Sequence, residues 1–128
     1  MKKIISILLS VMILVSLTSC SGMSISEKNI DEISNYVLEN IDALSSEKEK
    51  EFFDYQNIGS SIGSVYYGYY YTEHNEPLIP DFYSGTDLNV EYKVADNGYY
   101  FGEPNSGKDW CYVQEITNNW FYYELHWA

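Results

Sequence analysis

An α+β fold is predicted by three features of this 128-residue chain. One stretch near the N-terminus has helical apolar periodicity, the residues after Gly59 are rich in aromatic and β-branched types, and the C-terminus reads as a hairpin. The expected architecture is an N-terminal amphipathic helix, with room for a short second one, packed on an antiparallel sheet of about four strands ending in that hairpin. Hydrophobic residues make up 45% and aromatics 17%, with 14 Tyr, which sets the chain apart from a disordered acidic tail. The 19 Asp+Glu against 7 Lys+Arg give a net charge of −12, and Arg is absent, so no nucleic-acid partner is expected.

The helix is read from Ile30, Ile33, Val37, Ile41 and Leu44, which recur at steps of three and four, with Tyr36 and Leu38 flanking the stripe. Ser26 or Asn29 caps its start, and Asp31 and Glu32 suit the positive end of its dipole. Residues 45–51 carry mixed charges and read as a solvated helical turn or a linker. Phe52, Phe53 and Tyr55 then return to the core. Residues 62–71 form the first strand, Pro77 and Pro80 make residues 73–81 a loop, and residues 90–94 form a second strand. Asp96-Asn97-Gly98 is a turn, and residues 99–102 are a third candidate strand.

Residues 110–117 and 120–127 complete the sheet as a hairpin. Asn tolerates positive φ, so Asn118-Asn119 reads as a two-residue type I′ turn. That turn pairs Thr117 with Trp120, Ile116 with Phe121 and Trp110 with Trp127. One face then carries Trp110, Tyr112, Gln114, Ile116, Phe121, Tyr123, Leu125 and Trp127, nearly all apolar, and is expected beneath the helix. The opposite face carries Cys111, Val113, Glu115, Thr117, Trp120, Tyr122, Glu124 and His126, and is expected to stay open.

The first twenty residues have a different character. Met1-Lys2-Lys3 is basic, residues 4–15 are apolar apart from Ser6 and Ser10, and Leu17-Thr18-Ser19-Cys20 follows. The apolar run is short for a membrane span but suits a signal h-region. Leu17-Thr18-Ser19-Cys20 resembles the lipobox of bacterial lipoproteins. Over residues 1–20 the resemblance implies a diacylglyceryl group on the Cys20 thiol, cleavage after Ser19 and acylation of the new amino group. It also implies anchoring on the outer face of the cell membrane, or on the outer membrane where there are two. Several acyl chains hold a protein to a bilayer where one does so only marginally. The expected organisation is a signal peptide at 1–19, lipidated Cys20 and tether at 20–28, and one domain at 29–128. Losing 1–19 removes Lys2 and Lys3 and no acid, moving −12 to −14, and leaves Cys111 as the free thiol.

Few chemical motifs stand out. Residues 102–109, G-E-P-N-S-G-K-D, nearly spell a phosphate loop, but Asp109 replaces the hydroxyl and a strand follows where a helix is needed, so no nucleotide is expected. No metal or other cofactor is implied, since His74-Asn75-Glu76 lacks zinc-ligand spacing and the Asp residues lack a calcium-loop pattern. In the expected register Cys111 faces His126, with Glu124 on the same face, an arrangement that activates a thiol. A lone Cys on a sheet more often acts as a small hydrophobe.

Alternation in Val65-Tyr66-Tyr67-Gly68-Tyr69-Tyr70-Tyr71 places Tyr66 and Tyr70 opposite the other tyrosines, so one set faces outward. With Trp120, Tyr122, Glu124 and His126 they make an acidic, aromatic candidate binding surface. Three functions compete on that basis. The first is a lipid-anchored binding or inhibitor/immunity-type module for a cationic exported protein, without enzymatic activity. The second binds cell-wall glycan by stacking. The third is a thiol enzyme using Cys111 and His126.

Overall fold

The computed structural model describes residues 25–46, 52–59 and 64–128, with side chains for 25–46 and 65–128. The signal-like segment, Cys20, residues 47–51 of the charged stretch, Ile62 and the packing of Phe52, Phe53 and Tyr55 lie outside the described residues. Within them one helix, α1 (Glu27–Ser45), lies on an antiparallel sheet of β1 (Phe52–Gly59), β2 (Ser64–Tyr71), β3 (Lys93–Val94), β4 (Tyr99–Phe101), β5 (Trp110–Thr117) and β6 (Trp120–Trp127). The strand order is β1-β2-β6-β5-β4-β3. The α+β class is as expected, but the sheet has six strands where about four were expected, five of them at segments that the sequence marks as candidate strands. The unanticipated strand is β1, whose F-F-D-Y-Q-N-I-G mixes strand formers with polar types that strands disfavour. Its pairing with β2, Ile58 opposite Val65, supplies what propensity does not.

Of the two candidate caps, Ser26 starts α1: its Oγ accepts from the Asn29 N–H at 3.2 Å. The stripe of Ile30, Ile33, Val37 and Leu44 is buried against the sheet, flanked by Ile25 and Ile41. At the far end the Ser45 and Ser46 hydroxyls donate to the carbonyls of Ile41 and Ala43.

The hairpin has the expected strand limits but a different register. Asn119 has φ 72, whereas Asn118 does not enter the positive-φ region. One left-handed residue suits a three-residue turn with a bulge, not a type I′ turn, which needs two. The register therefore steps by one between Glu115 and Thr117. Glu115 pairs with Phe121 and Trp110 with His126, where Ile116–Phe121 and Trp110–Trp127 were expected. The Asn119 side chain fixes this conformation by donating to the carbonyls of Thr72 and Glu73, and its N–H donates to Asn75 Oδ1.

That step exchanges the faces of β6, as a one-residue slip must. Beneath α1 lie Trp120 and Tyr122 with Tyr67, Tyr69, Trp110 and Tyr112. The opposite face, Phe121, Tyr123 and Leu125 with Cys111, Val113, Tyr70 and Phe101, is also covered. Its cover is the segment carrying Leu78, Ile79, Phe82, Tyr83 and Leu88. Leu125 is core as expected, but on the side away from α1. Of the hairpin face expected to be open, Cys111, Val113, Trp120, Tyr122, Glu124 and His126 are thus interior, and Glu115 alone is exposed.

Candidate functional site: a buried carboxylate–imidazole centre

Alternation along β6 places Tyr122, Glu124 and His126 on the face beneath the start of α1. Glu124 is 1% exposed. Its Oε2 accepts from the Tyr122 hydroxyl at 2.7 Å and the Ser26 N–H at 3.1 Å, while Oε1 lies 2.7 Å from His126 Nε2. Burial alone would raise the Glu124 carboxyl, but hydrogen bonds from His126, Tyr122 and Ser26 outweigh it and hold it below the ordinary value. Burial and the neighbouring carboxylate push the Tyr122 hydroxyl well up, so it stays a donor.

The His126 ring lies flat on Trp110, centroids 3.7 Å apart and planes 9° from parallel. With Nε2 directed at Glu124, Nδ1 is buried with no hydrogen-bond partner. Glu124 orients the imidazole as a carboxylate does in an acid–base dyad. The centre is buried, His126 being 6% exposed, and its bonds join the N-cap of α1 to the central strand.

Each sequence-derived candidate can now be placed. Trp120 is 3% exposed and Tyr122 fully buried, so the outward surface expected of Trp120, Tyr122, Glu124 and His126 is not a surface. Tyr70 is buried, its hydroxyl donating to the Glu76 carbonyl and accepting from the Leu78 N–H, and its ring stacks on Phe121. Tyr66 is half-buried between Phe82 and Trp127. Cys111 is not across from His126. It pairs with Leu125 on the other side of the sheet, and burial pushes its thiol well up. The activated thiol and the sugar-stacking face built on Trp120 and Tyr122 lose the geometry they required.

Residues 102–109 form the loop between β4 and β5, and Asp109 is structural. Its carboxylate accepts from the Tyr83 hydroxyl and the Ala128 N–H, both at 2.7 Å. Among the described residues no three His, Cys, Asp or Glu side chains are grouped to hold a metal ion, and no helix is long and apolar enough to cross a membrane.

The exposed apolar side chains lie elsewhere. Tyr36 and Leu38 stand out from α1, and Val90, Tyr92 and Val94 cluster at the β3 edge. The helical stripe marks Tyr36 and Leu38 as flanking residues, whereas the alternation at 90–94 gives no hint that both faces stay wet. Compared with protein-family models, curated proteins and solved structures, the chain matches none.

Proposed function

We propose that this chain is an exported lipoprotein, held to the membrane through Cys20, whose domain binds a cationic exported protein through the outer face of α1. The observation that carries this reading is the composition of that face. Glu27, Asp31, Glu32, Glu39 and Asp42 are exposed beside a single base, Lys28, with Tyr36 and Leu38 on either border at 45% and 50% exposure. Carboxylates speed encounter with a basic partner, and the two apolar side chains supply anchors. The Glu124 centre supports the reading by fixing the first turn of that helix.

Full-length chain purified in detergent and immobilised should retain a basic protein from its own cell envelope, or a cationic wall hydrolase used as probe. Retention should fall as ionic strength rises and disappear in Tyr36→Ala/Leu38→Ala. No salt-sensitive retention of any basic protein would sink the binding reading. Anchoring is tested separately: Cys20→Ser should release the protein from the membrane or leave it as precursor, and unchanged fatty-acid labelling would refute lipidation.

A further inference from the structure

Among the described residues, the β3 edge of the sheet has no neighbouring strand. Bare edges invite another strand, and proteins cover or blunt them. Here the edge segment Val90-Glu91-Tyr92-Lys93-Val94 instead exposes Val90 at 87%, Tyr92 at 45% and Val94 at 78%. Backbone direction follows from the adjoining turn. The Ala95 N–H donates to the Gly98 carbonyl, and Lys93 and Val94 pair with Tyr100 and Tyr99. In an antiparallel ladder the backbone groups alternate sides. Those of Ala95 and Lys93 therefore face β4, and those of Val94 and Tyr92 face outward.

We propose that two copies of this chain associate antiparallel through this edge, about a two-fold axis at Tyr92. The segment is chemically palindromic. Turned on itself, it sets Tyr92 against Tyr92 of the second copy, Val90 against Val94, and Glu91 against Lys93 twice. The outward backbone groups of Tyr92 and Val94 are those such pairing uses; residues 90–92 precede β3, with Val90 at a bend, and would extend to complete the ladder. The contact is isologous, so it closes as a dimer and does not propagate.

A parallel arrangement would set Glu91 on Glu91. A foreign strand would need the same order of charges reversed, which the chain itself supplies. Lys93 already pairs with Glu103 at 2.8 Å, but both are exposed, and such pairs contribute little. Lys93 is free to be shared. An edge this short buries less than a standard interface, so the association is weak and salt-sensitive.

The test is oxidative cross-linking of the detergent-solubilised full chain carrying Tyr92→Cys. Opposed residues of a hydrogen-bonded pair lie about 5.5 Å apart at Cα, within disulfide reach. The expected product is a reducible species of two chains, absent from the unmodified chain and from Lys108→Cys in an exposed loop. Mixing Val90→Cys chains with Val94→Cys chains should give the mixed dimer while leaving the Tyr92 ring on Tyr99 and Phe101. Adding Lys93→Glu or Glu91→Lys to Tyr92→Cys should lower the yield about five- to tenfold, and combining both should restore it. The combination does not rebuild the Lys93–Glu103 pair, so recovery reports contact between copies. Cross-linking no greater than in Lys108→Cys, a product with a different protein, or no recovery in the combined charge swap would each overturn the proposal.

Discussion

Trp110 stands across β5–β6 from His126, the two rings parallel at 3.7 Å, where a two-residue turn would have placed Trp127. This pairing decides which half of β6 lies beneath the helix. It moves Trp120, Tyr122, Glu124 and His126 from an outer face into the core.

Replacing Trp120 and Tyr122 together by Ala should therefore be severe. Each buried aromatic cut to Ala costs about 3–5 kcal/mol, and a small domain has only about 5–15 kcal/mol in total. Urea or thermal unfolding should show the double variant largely unfolded. A loss near 1 kcal/mol would return these side chains to solvent.

Glu124 accepts from the Tyr122 hydroxyl and the Ser26 N–H and lies 2.7 Å from His126 Nε2. Glu124→Ala strands the Tyr122 hydroxyl, the Ser26 N–H and His126 Nε2 together, and should cost about 3–5 kcal/mol in urea unfolding. Glu124→Gln keeps an acceptor and the shape of the side chain, and should cost about 1–3 kcal/mol. Near-native stability in both would mean that the carboxylate does not hold α1.

The Glu124 contribution also has a pH signature. Its carboxyl is held below the ordinary value in the folded state, so the stabilisation is complete above the unfolded pKa of about 4.3 and declines as pH falls through the lower folded value. The stability difference between the native chain and Glu124→Gln should shrink as pH falls below about 5. A difference that grows over that acid range would contradict this sign.

Cys111 is fully buried on the sheet face away from His126, with its thiol pushed up by that burial. In a Cys20→Ser chain, alkylation should require unfolding and run about a thousandfold slower than in urea. Fast labelling under native conditions would show an open thiol.

Much of this architecture is legible in the sequence, because the signals are local. Ile30, Ile33, Val37 and Leu44 describe the buried helical stripe, and the hairpin strands begin and end where the residue pattern says. The register is not legible, because it turns on the conformation of one of two identical residues. Asn118 and Asn119 are equally fit for positive φ; Asn119 alone adopts it, held by Thr72, Glu73 and Asn75 some 44–47 positions away. A preference of a few tenths of a kcal/mol at the turn would be overruled by burying Trp120 and Tyr122, worth about 1.5–3 kcal/mol per large side chain. The second cover is hidden for a similar reason. Pro77 and Pro80 mark a loop, but nothing local shows that Leu78, Phe82 and Tyr83 fold back over Tyr70 and Tyr123.

The central claim is the one-residue step that puts the Glu124–His126 centre beneath α1, and proton–proton distances across the hairpin measure it directly. Nuclear Overhauser spectra of the folded chain should show the Trp110 indole in close contact with the His126 ring, and the Tyr122 ring protons in contact with residues of the α1 stripe. Contacts from Trp110 to Trp127, with Phe121 and Tyr123 touching α1 in place of Tyr122, would contradict it.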